Sequence, residues 1–163
     1  MQYLGVKLIN AVPMTRLEYN QFRGWELPQN ENGDDAGYLV EYTDPNTKPN
    51  TEQYAGYVSW SPKEVFDYAY RQVDALPFSL ALEAVIHLGM KAARKGWNGK
   101  GMFIFLVPGS TFQVNRAPLL GIYPEGTTIS YHGHVDMKTA DGTIVPWLAS
   151  QTDILAEDWE LVV

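Results

Sequence analysis

The chain has 163 residues, a formal net charge of −7 and no cysteine, with 45% hydrophobic and 13% aromatic residues. That is apolar material for one domain or two small ones. The acidic balance argues against binding a nucleic acid polymer, which demands basic surface. The lack of cysteine removes disulfides, thiolate zinc sites and a cysteine nucleophile together, and it fits a reducing cytoplasm. The opening MQYLGVKLIN lacks the basic start and long apolar core of a signal peptide. No apolar run approaches the ~20 residues that span a bilayer, so no membrane partner is expected.

In chain order, residues 2 to 12 read as a β-strand that Pro13 interrupts. Thr15 is placed to cap a short helix, RLEYNQFRGW, which Gly24 would end. An acidic loop, Leu27 to Ala36, leads to a second strand, Gly37 to Thr43, with Tyr38, Val40 and Tyr42 on one face. Asp44 to Glu52 reads as a long turn and Tyr54 to Trp60 as a third strand. Ser61-Pro62-Lys63-Glu64 has the form of a capping box with proline at the first helical position. The helix that follows would present Val65, Phe66, Ala69 and Tyr70 on its apolar face.

Asp74 to Pro77 is the expected module boundary, giving modules 1–76 and 77–163. A second helix is expected from about Ser79 to His87, with Gly89 just past its end. Beyond it the pattern is β with loops: Met102 to Val107, Gly121 to Tyr123, Thr128 to Met137, Thr143 to Ala149 and Ile154 to Val162. The fold class that follows is α+β. An antiparallel β-sheet with a packed helix forms the second module, preceded by a small strand-rich module with one capped helix. No crossover helices separate the strands, which argues against a Rossmann sheet.

The chain centres on the stretch Ala92 to Ser110. Its turn, Arg94-Lys95-Gly96-Trp97-Asn98-Gly99-Lys100-Gly101, combines three cations, one tryptophan and three glycines. Such a turn suits a nucleotide-like ligand, with a flat ring for stacking and charge for phosphate. A tight β-turn with solvated lysines is the simpler alternative. It is not a P-loop, because Gly101 follows Gly99-Lys100 where Ser or Thr is needed. His132-Gly133-His134-Val135-Asp136 places two imidazoles and a carboxylate on one side of a strand, if the strand is continuous. A metal site is one reading, a polar face lining a pocket another. Asn115-Arg116 puts a further cation on a loop, and Trp147, Ser150 and Thr152 could line a cleft. Trp159 is expected in the core.

The phrases ALEAVIHLGMKAARKGWNGKGMFIFLVPGS, VNRAPLLGIYPEG, HGHVDMKTADG and WLASQTDILAEDWELV carry a resemblance. In that order they are similar to the second Thoeris anti-defence family of phage proteins, over about Phe78 to Val163. The resemblance implies a non-catalytic sponge without cofactor. Such a sponge binds and sequesters the cyclic ADP-ribose isomer (glycocyclic ADP-ribose) made by a TIR-domain sensor in the cytoplasm of the bacterial host. It implies a homotetramer with pockets between subunits, and in some members binding of cyclic di- or trinucleotides. Within the matching phrases, Trp97 or Trp147 would stack on adenine, and Arg94, Lys100 or Arg116 would meet the pyrophosphate. Asn98, Asp136, Thr152 or Asp153 would hydrogen-bond ribose hydroxyls, and Phe103, His134 and Met137 complete the expected lining. The first module lies outside the family pattern and carries no implied activity. Two other functions stay open on the residues alone. One is a metal-dependent hydrolase of such a signal, using His132, His134 and Asp136. The other is a phage structural or interaction module.

Overall fold

The structure is a computed structural model and describes residues 1–2, 5–97 and 101–162. The fold is α+β, and the chain divides into two compact units, Met1–Arg71 and Gln72–Val163. Among the described residues no helix is long and apolar enough to cross a membrane.

The first unit is a three-stranded antiparallel sheet of β1 (Ile9–Pro13), β2 (Gly37–Tyr42) and β3 (Tyr57–Pro62), in that spatial order. Pro13 does not interrupt β1 but ends it, opposite Tyr38, and the strand starts only at Ile9. An edge strand tolerates a proline there. The helix α1 (Arg16–Arg23) has the expected ends. Thr15 accepts from the Glu18 amide, the Glu18 carboxylate accepts from the Thr15 amide, and Gly24 closes the helix at φ 68°. Its Tyr19 packs with Leu39 and Val58 on one face of the sheet. On the other face Phe66 of helix α2 (Lys63–Ala69) stacks on Tyr38 at 4.0 Å, and Tyr70 lies against Phe66. Leu39 and Val40 are therefore equally buried, and β2 is covered on both sides.

Two expectations for α2 fail. Ser61 is not its N-cap; it pairs with Tyr38 in the β2–β3 ladder, and Pro62 takes the cap position without a side-chain bond. The ladder keeps the chain extended through Pro62, one residue longer than the local signal suggests. Val65 stands 59% exposed, so it is not part of the buried face.

In the second unit, α3 (Phe78–His87) packs on a five-stranded antiparallel sheet. Its strands are β4 (Lys91–Arg94), β5 (Phe103–Val107), β8 (His134–Lys138), β9 (Ile144–Pro146) and β10 (Trp159–Val162), in the order β10-β4-β5-β8-β9. A smaller ribbon joins β6 (Ser110–Gln113) to β7 (Thr128–Tyr131). The core holds Leu76, Ala81, Val85, Ala92, Ile104 and Trp159. Leu76 and Trp159 exchange main-chain hydrogen bonds, and the Leu161 amide donates to Val73. The residues just before α3 thus run beside β10.

Several expected strands are corrected here. No strand forms at the expected Gly121 to Tyr123; a 3₁₀ turn, Leu119–Gly121, runs into a turn there. The single strand expected from Thr128 to Met137 breaks at His132-Gly133. A Cβ on Gly109 would meet the Tyr131 carbonyl at 2.8 Å, so the two backbones approach too closely there for an ordinary ladder. The segment expected as strand from Ile154 starts instead with a one-turn helix, α4 (Gln151–Ile154), capped by Ser150. The strand resumes at Trp159.

Trp159 has no exposed surface and sits where α3, β4 and α4 meet. Trp159→Ala should cost about 3–5 kcal/mol. Urea denaturation of the full chain followed by circular dichroism will measure it.

Candidate functional site

The site is built around the Trp159 ring. Trp97, from the turn after β4, meets it edge-on at 5.4 Å and 75°. Trp147, just past β9, does the same at 6.0 Å and 80°. Phe78, the first residue of α3, lies 5.4 Å from Trp159 and 6.0 Å from Trp147. Edge-to-face contacts of this kind fix ring orientation as well as burying area. Trp97 and Trp147 remain half-buried. Each keeps surface that a planar ligand can meet.

Arg94 ends β4 opposite Trp159. Its Nε donates to Asp158 at 2.8 Å, its Nη2 reaches the second oxygen at 3.4 Å, and its Nη1 donates to Asp153 at 3.1 Å. The same Nη1 lies 3.3 Å from the Thr152 carbonyl. Asp153 also closes the α4 capping box with Ser150, and its main-chain carbonyl accepts from the Trp159 indole at 3.0 Å. The Arg94 hydrogen bond holds the Asp158 carboxyl below the usual range and raises Arg94 itself. Burial works to raise Asp153, but bonds from Ser150 and Arg94 outweigh it and its pKa is lowered.

Arg94, Trp97, Trp147, Thr152 and Asp153 are thus brought together. Met137 packs on the same side of the sheet, against the core. The ladder puts Phe103, His134 and Asp136 on the opposite face. There Lys91 and Lys138 lie 5.3 and 5.8 Å from the Phe103 ring centre, and Lys138 donates to the Gly101 carbonyl. Asn98 and Lys100 lie outside the described residues.

The β8–β9 turn leading to Trp147 is closed by Asp141. Its carboxylate accepts from the Thr139 hydroxyl and from the Thr143 amide and hydroxyl, which hold its pKa down to about 2.

His132, His134 and Asp136 do not form the metal set that a continuous strand would give. His132 precedes β8, and His134 Nδ1 lies 3.2 Å from the His132 carbonyl. His134 Nε2 is 3.5 Å from Asp136, whose Oδ1 is buried without a hydrogen bond. Among the described residues no group of three or more His, Asp or Glu side chains is arranged to hold a metal.

Arg116 stands apart, in an open groove of about 830 Å³ beside the β6–β7 ribbon, with Gln113, Asn115, Pro118 and Tyr131. Phe112 and Tyr131, neighbours across the ribbon with ring centres 5.4 Å apart, line it as well. None of the other described ligand candidates lines this groove.

This small α+β unit, with an aromatic cluster at its heart, belongs to the Thoeris anti-defense 2-like family, whose domain model matches residues 76–162. It is similar to "Thoeris anti-defense 2" of Bacillus phage SP01, 40% identical over 87 residues that make up 53% of this chain and 94% of that protein. The match starts at Leu76, the residue that bridges to Trp159 at the start of β10.

The sequence singled out the tryptophans and Arg94 but gave no sign of Asp158, the carboxylate that engages Arg94 through two nitrogens. Because Asp153 and Asp158 have depressed folded-state pKa values, their contribution is full above the unfolded value of about 3.9 and is lost as pH falls through the lower folded values. Urea midpoints of the full chain should fall steeply below about pH 4. Asp158→Asn should lower the midpoint at pH 7 and partly flatten that acid-side loss.

Proposed function

We propose that the chain is a phage anti-defence protein that sequesters a cyclic ADP-ribose isomer made by TIR-domain defence enzymes. Glycocyclic ADP-ribose is its first candidate ligand and cyclic di- and trinucleotides are further ones. The ligand is held without being cleaved, by a homotetramer in the cytoplasm of the host cell. The observation that carries this reading is the family match over residues 76–162, which contains the whole Trp97–Trp159–Trp147 cluster.

The chemistry of the site supports it. Two half-buried tryptophans, oriented by a third, offer flat apolar surface to a purine. A site already ordered by packing loses little conformational entropy on binding, which tight sequestration requires. A metal-dependent hydrolytic reading needs three converging ligands, and His132, which precedes β8, does not join His134 and Asp136 in such a set. Arg116 and the Phe103 face carry cations that an assembly can turn toward an anionic ligand.

The test is capture and release. Purified protein is incubated with glycocyclic ADP-ribose, its isomers and a panel of cyclic di- and trinucleotides, washed, then heated, and the released molecules are identified by mass spectrometry. Recovery of one unmodified cyclic signal is expected. Recovery of linear products alone, or of nothing, would overturn the reading. Native mass spectrometry of the same sample checks the tetramer. Trp97→Ala and Trp147→Ala should each weaken the captured ligand's affinity about tenfold or more, as lost base stacking does. Titration calorimetry will measure that loss.

A further inference from the structure

We propose that Arg94 is a positioning residue of the ligand site, one that sets the placement of Trp97 and Trp147 and does not itself grip the ligand's phosphates. This rests on the sequestration reading above, and it reassigns the one arginine that the sequence places in the central turn.

Arg94 joins three pieces of chain. On the first, its main-chain carbonyl accepts from the Trp97 amide at 3.0 Å and closes the turn that carries that ring. On the second, its guanidinium engages both oxygens of Asp158. Asp158 in turn receives the Lys95 amide on its main-chain carbonyl at 3.1 Å. The turn that leads to Trp97 is thus tied to Asp158, and Asp158 is tied to Arg94. On the third, Nη1 holds Asp153 and the Thr152 carbonyl, fixing α4 four residues beyond Trp147. Asp153 passes the constraint to the centre of the cluster through its bond from the Trp159 indole.

A guanidinium suits this role because its donors are fixed in a plane and reach two carboxylates at once. A lysine ammonium is a single point and cannot bridge them in the same way. The same geometry argues against a phosphate grip. Nε, Nη1 and Nη2 all have acceptors already, and the side chain is only 21% exposed. Two carboxylates against one guanidinium leave the cluster net negative, so an incoming phosphate meets more repulsion than attraction there.

The experiment compares the full chain with Arg94→Lys and Asp158→Asn, each carrying 5-fluorotryptophan and observed by fluorine NMR without ligand. Both variants should shift or broaden the Trp97, Trp147 and Trp159 signals and leave those of Trp25 and Trp60 in the first unit in place. Affinity for glycocyclic ADP-ribose should fall about tenfold in both, with the salt dependence of binding unchanged. A phosphate contact predicts the opposite pattern. Tryptophan signals would stay in place in Arg94→Lys, Asp158→Asn would bind as well as the parent or better, and Arg94→Lys would lose affinity together with salt dependence. That result, or unmoved signals with unmoved affinity, overturns the proposal. If the parent chain binds no cyclic ADP-ribose isomer while the signals still shift, the sequestration reading fails and the ordering of the tryptophans by Arg94 stands.

Discussion

The second unit depends on burying one indole at the edge of a sheet. Trp159 opens β10, the last strand of the five, with β4 on one side and the segment just before α3 on the other. Its ring is closed off by Phe78 from α3, by Trp97 from the β4–β5 turn and by Trp147 from the end of β9. Its one polar atom is satisfied by the Asp153 carbonyl. Each cover comes from a different part of the chain, so burying Trp159 brings these segments to one place. The same act leaves Trp97 and Trp147 as the half-exposed rim of a fully buried centre.

The five-stranded sheet then separates two chemistries. On the side of α3, alternate residues of β4, β5 and β8 are apolar: Ala92, Ile104, Leu106, Val135 and Met137. On the other side the ladder lines up Phe103, Phe105 and Val107 with Lys138, Asp136 and His134. The expected ligand residues are divided by this period of two, although in the sequence they look like one set. Met137 and Asp136 are neighbours in the chain and face opposite ways. A single small ligand on one copy of the chain does not meet both faces of a sheet.

What the sequence made legible was local. The Thr15–Glu18 box and Gly24 are read from adjacent residues, and their hydrogen bonds span three or four positions. The helix ending near Gly89 follows the same rule. Ser61-Pro62-Lys63-Glu64 carries an equally good local signal, yet pairing with β2 outweighs it, since a cap is worth only about 1 kcal/mol and the ladder gives hydrogen bonds and burial together. The His-x-His-x-Asp reading assumed an unbroken strand. The close approach of Gly109 to residues 131–133 breaks it, and that contact is invisible in a window of five residues. Trp159 was legible as core because of its type, but its neighbours were not. Arg94 is the clearest limit. Its residue type suggested phosphate, and its partners lie 59 and 64 positions away. No spacing pattern connects them.

The charge pattern bears on how an anion is held by a chain of net charge −7. At physiological ionic strength charges act over about 8 Å, so the local balance matters more than the total. Among the described residues around the tryptophans that balance is unfavourable, because Arg94 is answered by both Asp153 and Asp158. Lys95 is exposed and has Asp74 3.9 Å away. Among the described residues, further cations stand at Arg116 in its groove and at Lys91 and Lys138 over Phe103. In the proposed sequestration, affinity at the tryptophans therefore comes from stacking and shape, and the phosphate charge calls for cations from outside the Arg94 cluster.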